Sequence, residues 1–370
     1  MARFQLYKPN IQLHWRSETK AKLPVSEGRS GVIVRAPNWL GDTLMALPAV
    51  HQLRKITPED QSLSVTCPMK LTPIWQAVEW VDNIIPITKS RLGADSRQQL
   101  RNLRLAAAVV LPNSFGSAWD LCRLGIPVRV GRAGRGRRFL LTHHAPRWRR
   151  DFRLDDYHQL SHYLEVVSLV GKVDCKIEAI PKLHAELSAE RLYTLIPHDS
   201  GHRTLILAPG AAYGPAKQWP VEYFHEVARR WNETGGRVCV VGTAAEKSLG
   251  EAVLRGIYDG SNLCGQTDLY DLMGILQHAS YCVANDSGVM HLAAALGTDG
   301  VALFGSTNPF ATGPLGPGHW IVLCDHGDCD GPCFARHCPG RGDTPYGCLK
   351  RLRPGMVWEA LSYLIELKAG

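Results

Sequence analysis

The sequence predicts an α/β protein made of two doubly wound, parallel-sheet domains facing a central cleft. Three observations carry that expectation. Apolar runs of strand length alternate with segments of helical period, which is the mark of βαβ units. The alternation stops near residue 171 and restarts at residue 204. The chain has 370 residues, enough for two cores and long for one.

In the first half, GVIVRAP (31–37) reads as a buried strand and LGDTLMALPAVHQLRKI (40–56) as the helix after it. SLSVTCP (62–68) is a second strand, PIWQAVEWV (73–81) a short helix, and AAAVVLP (106–112) a third strand before the loop NSFGSAWD. HQLSHYLEVVSLVG (158–171) is an amphipathic helix, and residues 172–202, with Pro181 and Pro197, fit a linker. In the second half TLILAPG (204–210), RVCVVGT (237–243), SYCVA (280–284) and VALFG (301–305) are strands. Helices intervene at VEYFHEVARRWNETGG, AEKSLGEAVLRGI, DLMGILQHA and MHLAAALG, and GMVWEALSYLIELKAG closes the chain as a helix. The expected organisation is an extension over 1–28, a first domain over 29–180, a linker over 181–202, a second domain over 203–352 and a terminal helix over 353–370.

Hydrophobic residues make up 45% and charged residues 21%, as in ordinary globular proteins. No apolar run reaches the length of a membrane span. Residues 1–28 lack the apolar core and small-residue cleavage site of a secretory signal, and are expected to be a poorly ordered tail. Of eleven cysteines, Cys67, Cys122, Cys175, Cys239, Cys264 and Cys282 are scattered and fit small buried hydrophobes in a reducing compartment. The other five crowd into residues 324–348. The net charge is +8, and residues 129–153 alone hold nine Arg and one Asp. Such a patch calls for an anionic partner or surface: nucleic acid, lipid headgroups, or a phosphorylated or carboxylated substrate.

Ligands of doubly wound sheets sit outside the carboxyl ends of the strands. Three loops there are unusual. In PNWLGDTLMALP, Gly41 and Asp42 stand where strand passes to helix. Asp42 can serve as a general base or cap the helix. In PGAAYGPAKQWP, small residues allow close backbone approach, and Lys217 is either a point charge for phosphate or an exposed turn lysine. In VANDSGVMHLAAALG, helix amides after Asp286 suit a diphosphate. Asp286 itself should then face away, toward sugar hydroxyls or its own helix amides. A nucleotide sugar satisfies both demands.

Taken together, APNWLGDTLMALPAV, PGAAYGPAKQWPVEYF and NDSGVMHLAAALGTDGVALFGSTNPFATGPLG resemble the bacterial heptosyltransferases of glycosyltransferase family 9. The resemblance runs from about residue 31 to 352 in the same order. It implies a GT-B fold, with two Rossmann-like domains: the first for the acceptor, the second for ADP-heptose. It implies inverting heptose transfer to the lipopolysaccharide inner core with no cofactor required for catalysis, and it favours addition of the second core heptose. Residue by residue, it puts the catalytic aspartate at Asp42 and the phosphate-binding lysine at Lys217. It puts donor contacts at Gly214, Glu246, Thr267, Asp286, Ser287, Gly288 and His291. Acceptor contacts fall at Gly41, Ser114, Arg129, Arg132, Arg135 and Arg138. Ser114 reads equally well as a helix cap. The acceptor being lipid-anchored and polyanionic, the arginines are expected to dock it or the anionic inner-membrane surface, giving a cytoplasmic protein peripheral to the inner membrane.

The cysteine cluster leaves three readings open: a structural Zn or Fe site at Cys329, Cys333, Cys338 and Cys348, redox-labile thiols, or simple packing. Rivals to the leading reading are another GT-B sugar-nucleotide enzyme, whether a heptosyltransferase of the first core heptose, a protein heptosyltransferase or an epimerase, and a basic nucleic-acid-binding protein. The last ignores the three ordered loops and has few aromatics interleaved with its arginines, so nucleic acid is not expected as a partner.

Overall fold

A computed structural model describes residues 4–13, 15, 31–88, 91–147, 157–174, 182–197, 203–327, 329, 331–340 and 344–369. The chain divides into two compact units, residues 10–181 and residues 1–9 with 182–370.

The first unit is a six-stranded parallel sheet of β1 (Val32–Arg35), β2 (Leu63–Pro68), β3 (Asn83–Ile87), β4 (Ala107–Val110), β5 (Val128–Arg132) and β6 (His143–Ala145). Its spatial order is β3-β2-β1-β4-β5-β6. The central strands are buried over their whole length, and Val32 pairs with both Leu63 and Ala107. This is why they read as unbroken apolar runs. The helix Leu40–Ile56 is buried over most of its length and packs against the helix Leu160–Val167.

The second unit repeats the plan with β7 (Thr204–Ala208), β8 (Arg237–Val240), β9 (Gly260–Asn262), β10 (Tyr281–Asn285), β11 (Asp299–Phe304) and β12 (Trp320–Cys324). Its order, β9-β8-β7-β10-β11-β12, is that of the first sheet. The helix Val221–Glu233 buries Phe224, Val227, Ala228 and Trp231 on one face. The closing helix Pro354–Ala369 adds Val357, Ala360, Leu361 and Leu364 to the same core.

Each order has one switch point, between β1 and β4 and between β7 and β10, where consecutive crossovers leave on opposite faces of the sheet. A crevice opens there at the carboxyl ends. The three unusual loops lie at these points: Asp42 follows β1, the Lys217 loop follows β7, and Asp286 follows β10.

Several expectations need correcting. Part of the N-terminal extension has a defined place. Phe4 and Leu6 pack on the second core, and Phe4 meets Tyr363 with ring centroids 6.3 Å apart. Tyr7 N–H donates to Trp320 O at 2.7 Å and its hydroxyl to Pro309 O at 2.9 Å. Residues 10–12 belong to the other unit, where His158 N–H donates to Asn10 O and Gln12 N–H to Ser161 Oγ. The supposed linker carries a helix, Ala189–Leu195, capped by Ser188. The basic segment includes β5 and β6. Cys175 and residues 175–181 and 198–202 lie outside the described residues.

Candidate active site

At the head of β1, buried Arg35 donates to Ala36 O and, at 2.7 Å, to Asn38 Oδ1, which fixes the turn. The helix then opens with Trp39 as N-cap and no side-chain cap bond. Asp42 lies in its first turn rather than at the cap, so the cap reading fails. Its Oδ1 accepts from Gln159 Nε2 at 2.8 Å, and the same amide reaches Tyr163 Oη at 2.8 Å. Burial, and then the charge of Asp42, push the Tyr163 hydroxyl well above its ordinary pKa. Asp42 is half-buried at the carboxyl end of β1, and Gln159 orients one of its oxygens, a placement suited to a general base. Sequence reasoning missed Gln159 and Tyr163. Their signal was an i, i+4 polar pair on one face of an apolar helix.

Ser114 caps the helix Phe115–Cys122, accepting from Ser117 N–H at 3.3 Å. The arginines divide into buried and exposed sets. Arg132 is buried; its Nη2 pairs with Glu165 and also donates to His162 O, and its Nη1 donates to Pro146 O. Arg129 is spent on Leu140 O, Ile126 O and Pro127 O. Arg129 thus holds its own turn together and Arg132 ties β5 to the helix Leu160–Val167, so both guanidinium groups are engaged within the first unit. Arg137, not singled out before, is also buried; it donates to Arg132 O, Pro112 O, Ser114 O and Asn113 Oδ1, and burial pulls its pKa down to about 10. Arg135 and Arg138 are exposed.

In the second unit, Lys217 Nζ meets Asp286 Oδ2 at 2.5 Å, and Thr307 Oγ1 donates to the same oxygen at 2.5 Å. Asp286 is 4% exposed. It faces the lysine and a threonine hydroxyl, where the sequence suggested sugar hydroxyls or its own helix amides. Asn285 ties the two loops, accepting from Trp219 N–H at 3.1 Å and donating to Pro209 O at 2.8 Å. Lys217 also lies 5.1 Å from the Tyr213 ring centroid. Gly214 has φ +146°, and a Cβ there would come within 2.7 Å of Arg336 O, so a glycine is required.

The helix Gly288–Leu296 opens beside this pair, with Ser287 as N-cap. Ser287 Oγ, Ser306 Oγ and His291 Nδ1 are buried without a partner among the described residues. Buried polar atoms normally find partners, so two just after adjacent strands and one in the first turn of the helix between them make a candidate place for a ligand. Gly288 and its neighbours offer the open amides of a helix start.

Glu246 belongs to a capping box with Thr243, accepting from its N–H at 2.7 Å and its hydroxyl at 2.9 Å. Its carboxylate lies over Gly210, where a Cβ would come within 1.9 Å of Oε1. Thr267 lies nearby, in the loop after β9 that Gly265 N–H ties to Gly242 O at 2.9 Å. The structure thus places Glu246 and Thr267 at the ends of β8 and β9, on one flank of the Lys217 loop.

Burial pulls His291 down to about 4, so it is neutral near pH 7. The unfolded chain binds this proton near pH 6.5 and the folded chain does not, so stability falls with acid between about 6.5 and 4. The expected loss across that window is about 3 kcal/mol. His291→Gln should remove this part of the acid sensitivity, as urea titrations at pH 4.5 and 7.5 will show. An unchanged pH dependence would refute it.

Cys329, Cys333, Cys338 and Cys348 line one enclosed cavity of about 50 Å3 with Ala216 and Ser306. Among the described residues, however, no three His, Cys, Asp or Glu side chains are arranged to hold a metal ion. The geometry does not support the structural Zn or Fe expectation. Cys338 Sγ accepts from Tyr346 N–H at 3.2 Å, and burial pushes the Cys348 thiol up. The segment instead braces the lysine loop: Tyr213 Oη donates to Phe334 O at 2.5 Å, Ala216 N–H to Arg336 O at 3.0 Å, and Phe334 N–H to Ser306 O at 2.8 Å.

The family model "Glycosyltransferase family 9 (heptosyltransferase)" matches residues 94–342. The chain is 30% identical to lipopolysaccharide heptosyltransferase 2 of Escherichia coli K12 over 77% of its own length and 85% of the relative's. It is 31% identical to lipooligosaccharide heptosyltransferase 2 of Haemophilus ducreyi over 77% and 86%. The solved structure of E. coli ADP-heptose lps heptosyltransferase II superposes with a TM-score of 0.73 at 26% identity, covering 92% of this chain and all of that one. Two Rossmann-like units of one strand order, each with its polar cluster at the switch point, therefore make up a GT-B protein, and the chain belongs to glycosyltransferase family 9, the heptosyltransferases.

Proposed function

We propose that the protein transfers L-glycero-D-manno-heptose from ADP-heptose to the inner core of lipopolysaccharide, with inversion, at the second-heptose step. The Lys217–Asp286–Thr307 cluster carries this reading. It is a half-buried cation held on a buried carboxylate, beside a helix start and three unpartnered polar atoms. Such a cluster suits the diphosphate of a nucleotide sugar.

In the reaction, the acceptor hydroxyl attacks the anomeric carbon and gives its proton to Asp42. The bond from that carbon to the diphosphate oxygen breaks, and ADP leaves with the electron pair. Lys217 and the amides from Ser287 to Val289 stabilise the charge that develops on it. Gly214, Glu246, Thr267, Gly288 and His291 shape the donor pocket, and Gly41 and Ser114 lie on the acceptor side. The acceptor is lipid-anchored, so the enzyme works at an anionic inner-membrane surface on the cytoplasmic side. Exposed Arg135 and Arg138 meet that charge. No helix among the described residues is long and apolar enough to cross the membrane.

The test is ADP release from ADP-heptose by the purified protein, with and without heptosyl-Kdo2-lipid A. Release that requires this acceptor is the expected result. Retention of ADP without turnover would overturn the acceptor assignment; failure to bind ADP would overturn the donor assignment as well.

A further inference from the structure

The first unit presents a surface that the chemistry above does not use. Phe115, Trp119 and Phe139 are 42%, 37% and 72% exposed. They nevertheless form one cluster: Phe115 stacks on Trp119 with centroids 6.1 Å apart, and Phe139 tilts against Phe115 at 6.1 Å. Three large rings joined through Phe115 form a continuous apolar patch rather than scattered exposed residues.

The patch has a basic frame. Residues 112–147 contain seven Arg and one acid, Asp120. Asp120 is buried and taken up by Arg91, at 2.7 and 2.8 Å. The side chain of Arg91 runs over Gly116, in the turn between Phe115 and Trp119. Arg135 and Arg138 have no carboxylate partner among the described residues; Arg138 reaches only His144 Nε2, at 3.0 Å. The segment is also stiff. Arg137 is locked into the loop that precedes Phe115, and Arg129 into the turn after Phe139. An apolar centre with uncompensated positive charge around it matches one partner, an anionic bilayer. Aromatic rings settle at the headgroup level and arginines reach the phosphates.

We infer that Phe115, Trp119 and Phe139 insert into the interfacial layer of an anionic membrane while Arg135 and Arg138 bind its headgroups. This places the acceptor unit on the surface that holds the lipid-anchored substrate. The inference rests on the proposed function only for its biological purpose; the binding itself is independent of it.

The experiment is co-sedimentation of the full chain with vesicles of phosphatidylethanolamine and phosphatidylglycerol, against phosphatidylcholine alone, at 50 and 300 mM salt. The wild type should bind the anionic vesicles and keep part of that binding at high salt. The Arg135→Glu, Arg138→Glu variant should lose about tenfold or more in partition at low salt. The Phe115→Ser, Trp119→Ser, Phe139→Ser variant should lose the salt-resistant part. Folding is checked by thermal unfolding and ADP binding, and single Phe139→Ser, at the most exposed ring, serves if the triple variant unfolds. ADP release with a deacylated, water-soluble acceptor should be unchanged in the aromatic variant, while its release with the membrane-embedded acceptor should fall. Equal binding to neutral vesicles, or aromatic variants that bind like the wild type, would overturn the inference. Vesicle binding by a protein inactive on both acceptors would refute the proposed function and leave this inference standing.

Discussion

Asp42→Asn should lower kcat for heptose transfer by about 10²–10⁴, the usual contribution of a positioned general base. The amide keeps the shape of the side chain and cannot accept the proton, so ADP binding in the other unit should be unchanged. Gln159→Leu separates orientation from chemistry. It removes the 2.8 Å bond to Asp42 and leaves the carboxylate in place. The expected result is a smaller fall in kcat, about tenfold, at unchanged donor KM. Steady-state kinetics with both substrates varied checks both. A wild-type rate in Asp42→Asn would move the base elsewhere.

Lys217→Ala should lower kcat by about 10²–10³, because it removes a charge aimed at the leaving diphosphate. It should also destabilise the protein. Asp286, 4% exposed, would be left with Thr307 as the partner of that oxygen among the described residues, and stranding a buried carboxylate in this way costs about 3 kcal/mol. The two effects can be separated. Adding Asp286→Asn to Lys217→Ala removes the stranded charge, so stability should largely return while activity stays low. Urea unfolding and ADP release, measured on the single and double variants, decide it. Recovery of activity together with stability would show that the lysine is a structural partner and not a phosphate ligand.

Legibility in the sequence followed burial. Central strands such as β1 and β7 are covered on both faces and appear as plain apolar runs. The strands that were missed lie at or next to sheet edges. In β3, NIIPI carries Pro86, which only an edge strand tolerates. In β9, GSN has no apolar residue, and β5 alternates arginine with valine. The site was legible where chemistry sits on short loops after strands, as at Asp42, Lys217 and Asp286. It was not legible where partners come from far along the chain. Gln159 reaches Asp42 across 117 positions, and Arg336 O closes on Gly214 from the cysteine-rich segment. Charge counting pointed to the basic segment and could not tell Arg132, buried on Glu165, from exposed Arg135.

The position of Tyr7 also sets an order of events in synthesis. Its hydroxyl ends on Pro309, 302 positions later, and its backbone reaches β12, the last strand made and an edge of the sheet. The residues that cover this edge are therefore made long before the strand they cover and find their place only after it. The intervening unit, residues 10–181, is complete long before. Closing so long a loop costs a flexible chain about 5 kcal/mol, only slightly more than a loop of half the length, because the cost grows with the logarithm of its length. What it adds is delay: until Tyr7 arrives, the edge at β12 lacks that cover, and the second unit passes through a stage with an exposed strand to which a neighbouring chain could pair.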